Sequence, residues 1–358
     1  MRKYHLLVKT GEAEIRALEQ LTKEDLGLIT PIIELTRGRR SKYDKEGDFT
    51  RKLSTFSKLF FKNEVYFDLT SELSLLNTKL ISYYSPIDGY LNWINFVLEL
   101  KSKGAFHSII PSILVNNEDE DLENNLQNQV NKLISNFGSC FYRLSIDGES
   151  WLEDLEIIRK GIDDEEAAKV ILLVDLKYIN SSQNVVERVL FRIQKFKELF
   201  GESAQTILSA TSFPNSVSDI TSEDSEVVQM YEEDLFFTIK LKYKHLIYSD
   251  YGSINPIRND EVIMRRGWIP RIDVSLRNAF LFHRIKKDRF GSYDLTYVSV
   301  ARKIIEDNNF PSDLNCWGIR VIKEAADGNC LGASPSFWIS VRMNTHINQV
   351  LNKLFQYS

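Results

Sequence analysis

Charged and hydroxyl residues stand at or near the ends of short apolar runs all along this chain: Lys9, Glu34, Asp68, Arg143, Asp147, Asp175, Ser209 and Asp250. Brought to one rim, Glu34, Asp68, Asp175 and Asp250 would offer hard oxygen ligands suited to magnesium, the one metal these residue types suggest. Two of the four could instead act as the acid and base of glycosidic cleavage. Lys9 and Arg143 would add cations for a phosphate or for ion pairing, and Asp147 and Ser209 further ligand contacts. The same residues could equally form buried salt bridges that close one end of the fold. The pattern points to a place more than to a reaction.

Histidine is scarce, with five in the chain. His5, His107 and His245 precede or begin apolar runs, which places them at strand starts. His346, in RMNTHINQVL, is the candidate proton carrier. Asn344 or Thr345 is expected to cap a helix bearing Ile347, Val350, Leu351 and Leu354, with His346 on its first turn. HExxH, GxSxG and P-loop motifs are absent, which sets aside a zincin, an α/β-hydrolase and a Walker NTPase.

The elements that must position these residues form a regular series. The runs are HLLVK (5–9), LITPIIE (28–34), VYFD (65–68), SIIPSILV (108–115), CFYRLSID (140–147), VILLVD (170–175), TILSATS (206–212) and LIYSD (246–250). They are continuous Ile/Val/Leu stretches, as expected of parallel strands covered on both faces. Helical spacing lies between them, most clearly in Val185 to Phe200, with Val186, Val189, Leu190, Ile193 and Phe196 on one side. Eight strand–helix units predict an α/β fold, a (β/α)8 TIM-type barrel with a C-terminal extension, whose strand ends share one mouth. Their uneven period argues against a solenoid.

The expected division is a barrel over 1–310, including a basic hairpin insertion near 262–290, and an extension over 311–358 packed on the barrel. Residues 292–308 read as the eighth barrel helix. Two long loops fall on the mouth side: the basic stretch 36–49 and the acidic, Ser-rich stretch 213–226. The basic stretch Arg265, Arg266, Arg271, Arg277, Arg284, Lys286, Lys287 and Arg289 is interleaved with Trp268, Phe280, Phe282 and Phe290. Such mixing suits an anion or a protein contact. If the extension covers the mouth, Arg271 and Arg342 join the ligand-binding set and His346 reaches the site.

The 358 residues carry 45 Lys and Arg against 50 Asp and Glu, a formal charge of −5. That balance does not favour extended duplex nucleic-acid binding. Three widely spaced cysteines without a CxxC pair exclude a disulfide framework or zinc ribbon and fit a reduced, cytoplasmic setting. No stretch has the length of a membrane span or the form of a signal peptide.

The opening YHLLVKTGEAEIRAL followed by ITPIIEL resembles the beta protein family, named for the beta protein of a satellite bacteriophage. The resemblance continues through SATSFP, YSDYG and WIPRI to Trp338, Arg342, Asn344 and His346 in the pattern W-x3-R-x-N-x-H. The family reads nearer to IRY where this chain has Pro270-Arg271-Ile272, and often has paired histidines at Thr345-His346. The resemblance implies a component of a phage-defence or toxin–antitoxin-like system, because the namesake is associated with a neighbouring killing protein whose toxicity it restrains. It implies a protein partner encoded nearby and carries no catalytic residues across. The expected function is partner binding at the mouth, with a phosphorylated ligand as a further occupant. The alternatives are a metal-dependent phosphodiesterase or nuclease at the same mouth, and a glycosidase-like hydrolase.

Overall fold

The computed structural model describes residues 4–257 and 267–356, with side chains described as far as Leu354. Eleven strands are assigned in it: β1 Tyr4–Lys9, β2 Ile29–Leu35, β3 Glu64–Leu69, β4 Ser108–Pro111, β5 Cys140–Ser145, β6 Val170–Tyr178, β7 Thr206–Thr211, β8 Ser225–Gln229, β9 Ile247–Asp250, β10 Arg271–Ser275 and β11 Ala279–Arg284. Eight of these form one parallel sheet in the order β4-β3-β2-β1-β9-β7-β6-β5. A parallel bridge between Ser112 and Phe141, with Ile113 N–H donating to the Phe141 carbonyl at 2.8 Å, joins the two ends into a barrel.

Alternation along the strands explains both cores. Leu7, Ile32, Tyr66, Phe141, Ile171, Leu173 and Ile207 pack together inside the barrel. Their neighbours Leu6, Val8, Ile33, Phe67, Leu172 and Leu208 face outward under the helices. Strands buried on both faces leave no polar face, hence the continuous apolar runs of the sequence. Helices Glu12–Glu19, Ile87–Ser102, Leu122–Phe137 and Val186–Phe200 cover the outside as their spacing predicts.

The eighth barrel helix is not the one expected. Helix Tyr293–Ile305 buries Tyr297, Val300, Ala301 and Ile304 in a separate core with Ile272, Val274, Leu281 and Ile322. Amphipathic spacing identified the helix correctly but could not say which sheet its apolar face meets. The long helix Pro335–Gln356 covers the barrel instead, placing Met343, Ile347, Val350 and Leu351 in the outer barrel core. Its first half gives Trp338 and Val341 to the second core. The helix therefore starts well before Asn344, and neither Asn344 nor Thr345 is an N-cap. Asn344 Oδ1 accepts from Gly318 N–H at 2.9 Å and its amide donates to the Ala17 carbonyl at 3.2 Å. Both polar side chains tie the helix to its neighbours.

The second unit is built on the antiparallel sheet β10-β11-β8. Its hairpin pairs with the acidic loop after β7, so the two charged segments meet each other. Arg284 donates to Asp224 Oδ1 at 3.3 Å, Ser218 Oγ at 3.1 Å and the Ser222 carbonyl at 2.8 Å. Arg265, Arg266 and the expected start of the hairpin near 262 lie outside the described residues. Among the described residues, no helix is long and apolar enough to cross a membrane.

Candidate functional site

Strand register builds the mouth. Lys9 is paired with Glu34, Glu34 with Asp68, and Asp175 with Ser209, so these side chains occupy neighbouring positions at the strand ends. Each follows an inward-facing apolar residue by two positions and therefore points inward too. Arg143 pairs with Leu173, one layer below Asp175. Its long side chain rises from that layer into the middle of the carboxylates.

Arg143 Nη1 donates to Glu34 Oε2 and Asp68 Oδ2, both at 2.8 Å, and Nη2 donates to Asp175 Oδ2 at 2.8 Å. Nη2 also reaches the Tyr251 hydroxyl at 3.1 Å, which itself donates to Asp175 Oδ1 at 2.6 Å. Lys9 pairs with Glu34 at 3.3 Å, contacts Glu72, and donates to the Pro256 carbonyl at 2.6 Å. A bulge after Asp175, with Lys177 at φ +55°, turns the Lys177 N–H back onto Asp175 Oδ1 at 2.9 Å. That irregularity interrupts the ladder, which resumes at Tyr178 and Thr211, and fixes the carboxylate. Ser209 is fully buried and accepts from the Ser249 hydroxyl at 3.3 Å.

Electrostatics separates two adjacent carboxylates. Burial would raise Glu34, but Arg143 and Lys9 overcome it and hold the group at about 2. Asp68 moves the other way: burial raises it, assisted by the Glu34 charge and opposed by Arg143. Burial works against the Arg143 charge, yet Asp175, Glu34 and Asp68 together hold it firmly protonated. Two neighbouring carboxyls displaced in opposite directions are suited to serve as base and acid. Here both oxygens facing the centre are already held by one guanidinium.

The four expected metal ligands divide into two groups. Asp250 lies three positions beyond the inward Ile247 and points outward, into the layer under the helices. It accepts from Tyr4, from Tyr248 at 2.7 Å and from Gly252 N–H at 2.7 Å. His346 meets it there through Nε2 at 2.9 Å, while His346 Nδ1 lies 3.2 Å from Ser275 Oγ. Burial opposes the His346 charge, and Asp250 with Glu232 and Glu233 raises its pKa overall. This buried Ser275–His346–Asp250 chain joins the second sheet to the barrel. Sequence reasoning missed Ser275 and Tyr251: Ser275 stands 71 residues from its histidine, and no local spacing links them.

The remaining carboxylates do not fit magnesium as arranged, because the Arg143 guanidinium occupies the space between Glu34, Asp68 and Asp175. Among the described residues, no group of three or more His, Cys, Asp or Glu side chains is disposed to hold a metal ion. The two cations expected to receive phosphate are engaged by carboxylates. Asp147 lies apart from the cluster, exposed and paired with Arg188 at 3.0 Å. Arg342 is buried with its guanidinium 3.6 Å from the centre of the Phe213 ring, and pairs with Asp273 at 2.8 Å. Burial pulls Arg342 down to about 10. Arg271 flanks the same Asp273 at 2.9 Å. The two arginines lock Asp273 rather than entering the mouth cluster.

Around the mouth, the loops after β2 and β3 hold each other. Arg37 N–H donates to the Leu75 carbonyl at 2.8 Å, and Thr78 N–H donates to Glu46 Oε2 at 2.9 Å. Together they expose Tyr43 at 91% and Leu73 at 84%, beside the exposed Arg39, Arg40 and Lys42.

A family model described as Beta protein matches residues 4–352. Protein beta of Enterobacteria phage P4 is 27% identical over 99% of this chain and 95% of its own length. Among solved structures, the C-terminal domain of a candidate chitinase from Desulfitobacterium hafniense DCB-2 is similar over 98% of this chain and 99% of its own, with 12% identity and a TM-score of 0.37. The spore cortex-lytic enzyme SleL of Bacillus megaterium QM B1551 is similar over 96% of this chain and 74% of its own, with 13% identity and a TM-score of 0.35.

Proposed function

The chain belongs to the beta protein family, and from that premise we propose that it is the partner-binding component of a cytoplasmic phage-defence or toxin–antitoxin-like system. The observation that carries this reading is the filled mouth: Arg143 sits among Glu34, Asp68 and Asp175 where a small substrate would enter. A mouth closed by its own side chains offers a surface rather than a pocket. Beside it, the exposed apolar Tyr43 and Leu73 with Arg39, Arg40 and Lys42 supply the mixed apolar and basic composition of a protein interface. The partner this reading requires is a protein encoded beside this one.

The test uses cells carrying the native locus. Tyr43→Asp/Leu73→Asp is expected to abolish both co-purification of the neighbouring protein and protection against infection, while circular dichroism and melting stay unchanged. Retention of both by a folded double variant refutes binding at this face.

The opposite displacement of Glu34 and Asp68 favours one second reading, a glycosidase-like hydrolase in which Arg143 withdraws when substrate binds. Asp68→Asn keeps the shape of the mouth and removes the acid. Loss of protection with the partner still bound supports the hydrolase; full protection rules it out.

A further inference from the structure

The antiparallel sheet β10-β11-β8 has one sealed edge and one open edge. At the β10 edge, helix Pro335–Gln356 takes up the outward groups of Ser275. The Ser275 N–H donates to Thr345 Oγ1 at 3.2 Å, and its carbonyl accepts from the Gln349 amide at 3.3 Å. At the other edge, β8 carries the run SEVVQ, in which Ser225, Glu226, Val227 and Gln229 are exposed. Its bonds to β11 fix which groups turn outward. Arg284 N–H donates to the Asp224 carbonyl at 2.8 Å and Met230 N–H to the Asn278 carbonyl at 2.9 Å, in the register that pairs Glu226 with Phe282 and Val228 with Phe280. Antiparallel pairing alternates, so the even-numbered positions bond to β11, and Ser225, Val227 and Gln229 direct their N–H and carbonyl groups away from it. Among the described residues, none of these outward groups has a hydrogen-bond partner. Such an edge is a template for one more strand.

The two faces of the edge specify that strand. Val227 shares its face with Leu281, which is buried in the second core, yet is itself 41% exposed. An added apolar residue opposite Val227 would cover it. The other face presents the exposed Glu226, and exposed Glu223 lies just before the strand. Asp224 is already paired with Arg284 at 3.3 Å. Pairing β8 with a second copy of itself about Val227 would set the two Glu226 side chains at diagonal positions on one face, like charges about 7–8 Å apart. The same charges welcome a basic segment.

We propose that β8 accepts, as a fourth antiparallel strand, an extended basic segment of a partner protein. Its apolar residues alternate with Lys or Arg, the first set lying against Val227 and the second beside Glu226. Tyr43 and Leu73 belong to other elements, so this proposal stands or falls independently of binding at their face.

Fluorescence anisotropy of the labelled, capped peptide TKVKVKT, titrated with the full chain, tests the assignment. It is expected to bind one to one, and TEVEVET about 5- to 10-fold more weakly through reversal of the cross-strand charge pairs. N-methylation of the two valines, whose amides face β8, should abolish binding. N-methylation of the central lysine, whose amide faces solvent, should change it by less than about twofold. Val227→Pro removes one outward N–H and leaves the ladder to β11 intact. It should weaken TKVKVKT by at least about tenfold with melting unchanged. Absence of TKVKVKT binding, or equal binding of TEVEVET, overturns the proposal. Binding unchanged in a folded Val227→Pro variant overturns the location; if that variant does not fold, binding that survives valine methylation overturns strand addition. Dimerisation of the full chain in sedimentation velocity, abolished by folded Val227→Pro, makes a second copy the occupant and overturns the partner assignment.

Discussion

Replacing Arg143 by Met removes the one cation among the described residues that touches Glu34, Asp68 and Asp175 together. The depression of Glu34 from 4.5 to about 2 amounts to about 3 kcal/mol at neutral pH, at ~1.4 kcal/mol per unit. Removing one partner of a buried ion pair costs on the order of 3–5 kcal/mol, because the other charge stays behind. We therefore expect Arg143→Met to lose about 3–5 kcal/mol near neutral pH. The pH dependence is also determined. Glu34 titrates lower in the folded chain than in the unfolded one, so its contribution is present above about 4.5 and is lost as pH falls toward 2. In the variant, burial acts on Asp68 with no guanidinium beside it and on Glu34 with only Lys9 left to oppose it, so both titrate higher than in the wild type. Their penalty grows as pH rises through those values and relaxes below them. The gap between wild type and variant must then narrow as pH falls from neutrality toward 4.5. Urea denaturation at several pH values, followed by far-ultraviolet circular dichroism, measures it. Adding Glu34→Gln, Asp68→Asn and Asp175→Asn to Arg143→Met should restore most of the loss near neutral pH. A loss under about 1 kcal/mol, the size of an exposed ion pair, would refute the charge-compensation argument. So would a gap that stays constant with pH.

At the second cluster, His346→Leu leaves Asp250 buried with Tyr4, Tyr248 and Gly252 as its partners among the described residues. It should lower the melting temperature measurably. Because His346 is raised in the folded chain, its stabilisation is full below about 6.5 and declines as pH rises through the folded value; melts across that window should show the decline in wild type and not in the variant. Gly89 adopts φ +67°, and a Cβ there would stand 2.8 Å from Asn128 Cβ. Gly89→Ala should therefore cost about 1–3 kcal/mol in urea denaturation, through left-handed strain and overpacking.

The barrel is legible because its strands are buried on both faces and read as unbroken apolar runs. Even so, SIIPSILV forms a strand only over Ser108–Pro111 before the closing bridge at Ser112. The polar strand ends are equally visible, but their direction is not. Glu34 and Asp68 follow the inward Ile32 and Tyr66 by two positions, whereas Asp250 follows Ile247 by three and faces the helices. Parity separates them, and parity needs the barrel interior to be known. Arg143 reads as a free cation in sequence because its three carboxylate partners come from three other strands. Tyr293–Ile305 is legible as a helix, but its packing partner lies in the hairpin and not in any local spacing.

The helix Pro335–Gln356 has a consequence for how the chain is made. Its Asn344 bonds to the carbonyl of Ala17, 327 residues earlier. At ~5–20 residues per second the ribosome takes about 16–65 s to supply that partner. Throughout that interval the first helix lacks its cover, and β1 lacks β9 until Ile247–Asp250 has also emerged. The barrel can therefore close only after Ile247–Asp250 has emerged, and its first strand waits until then with an open edge. Nascent chains, more than finished ones, expose the unpaired strand edge that invites aggregation.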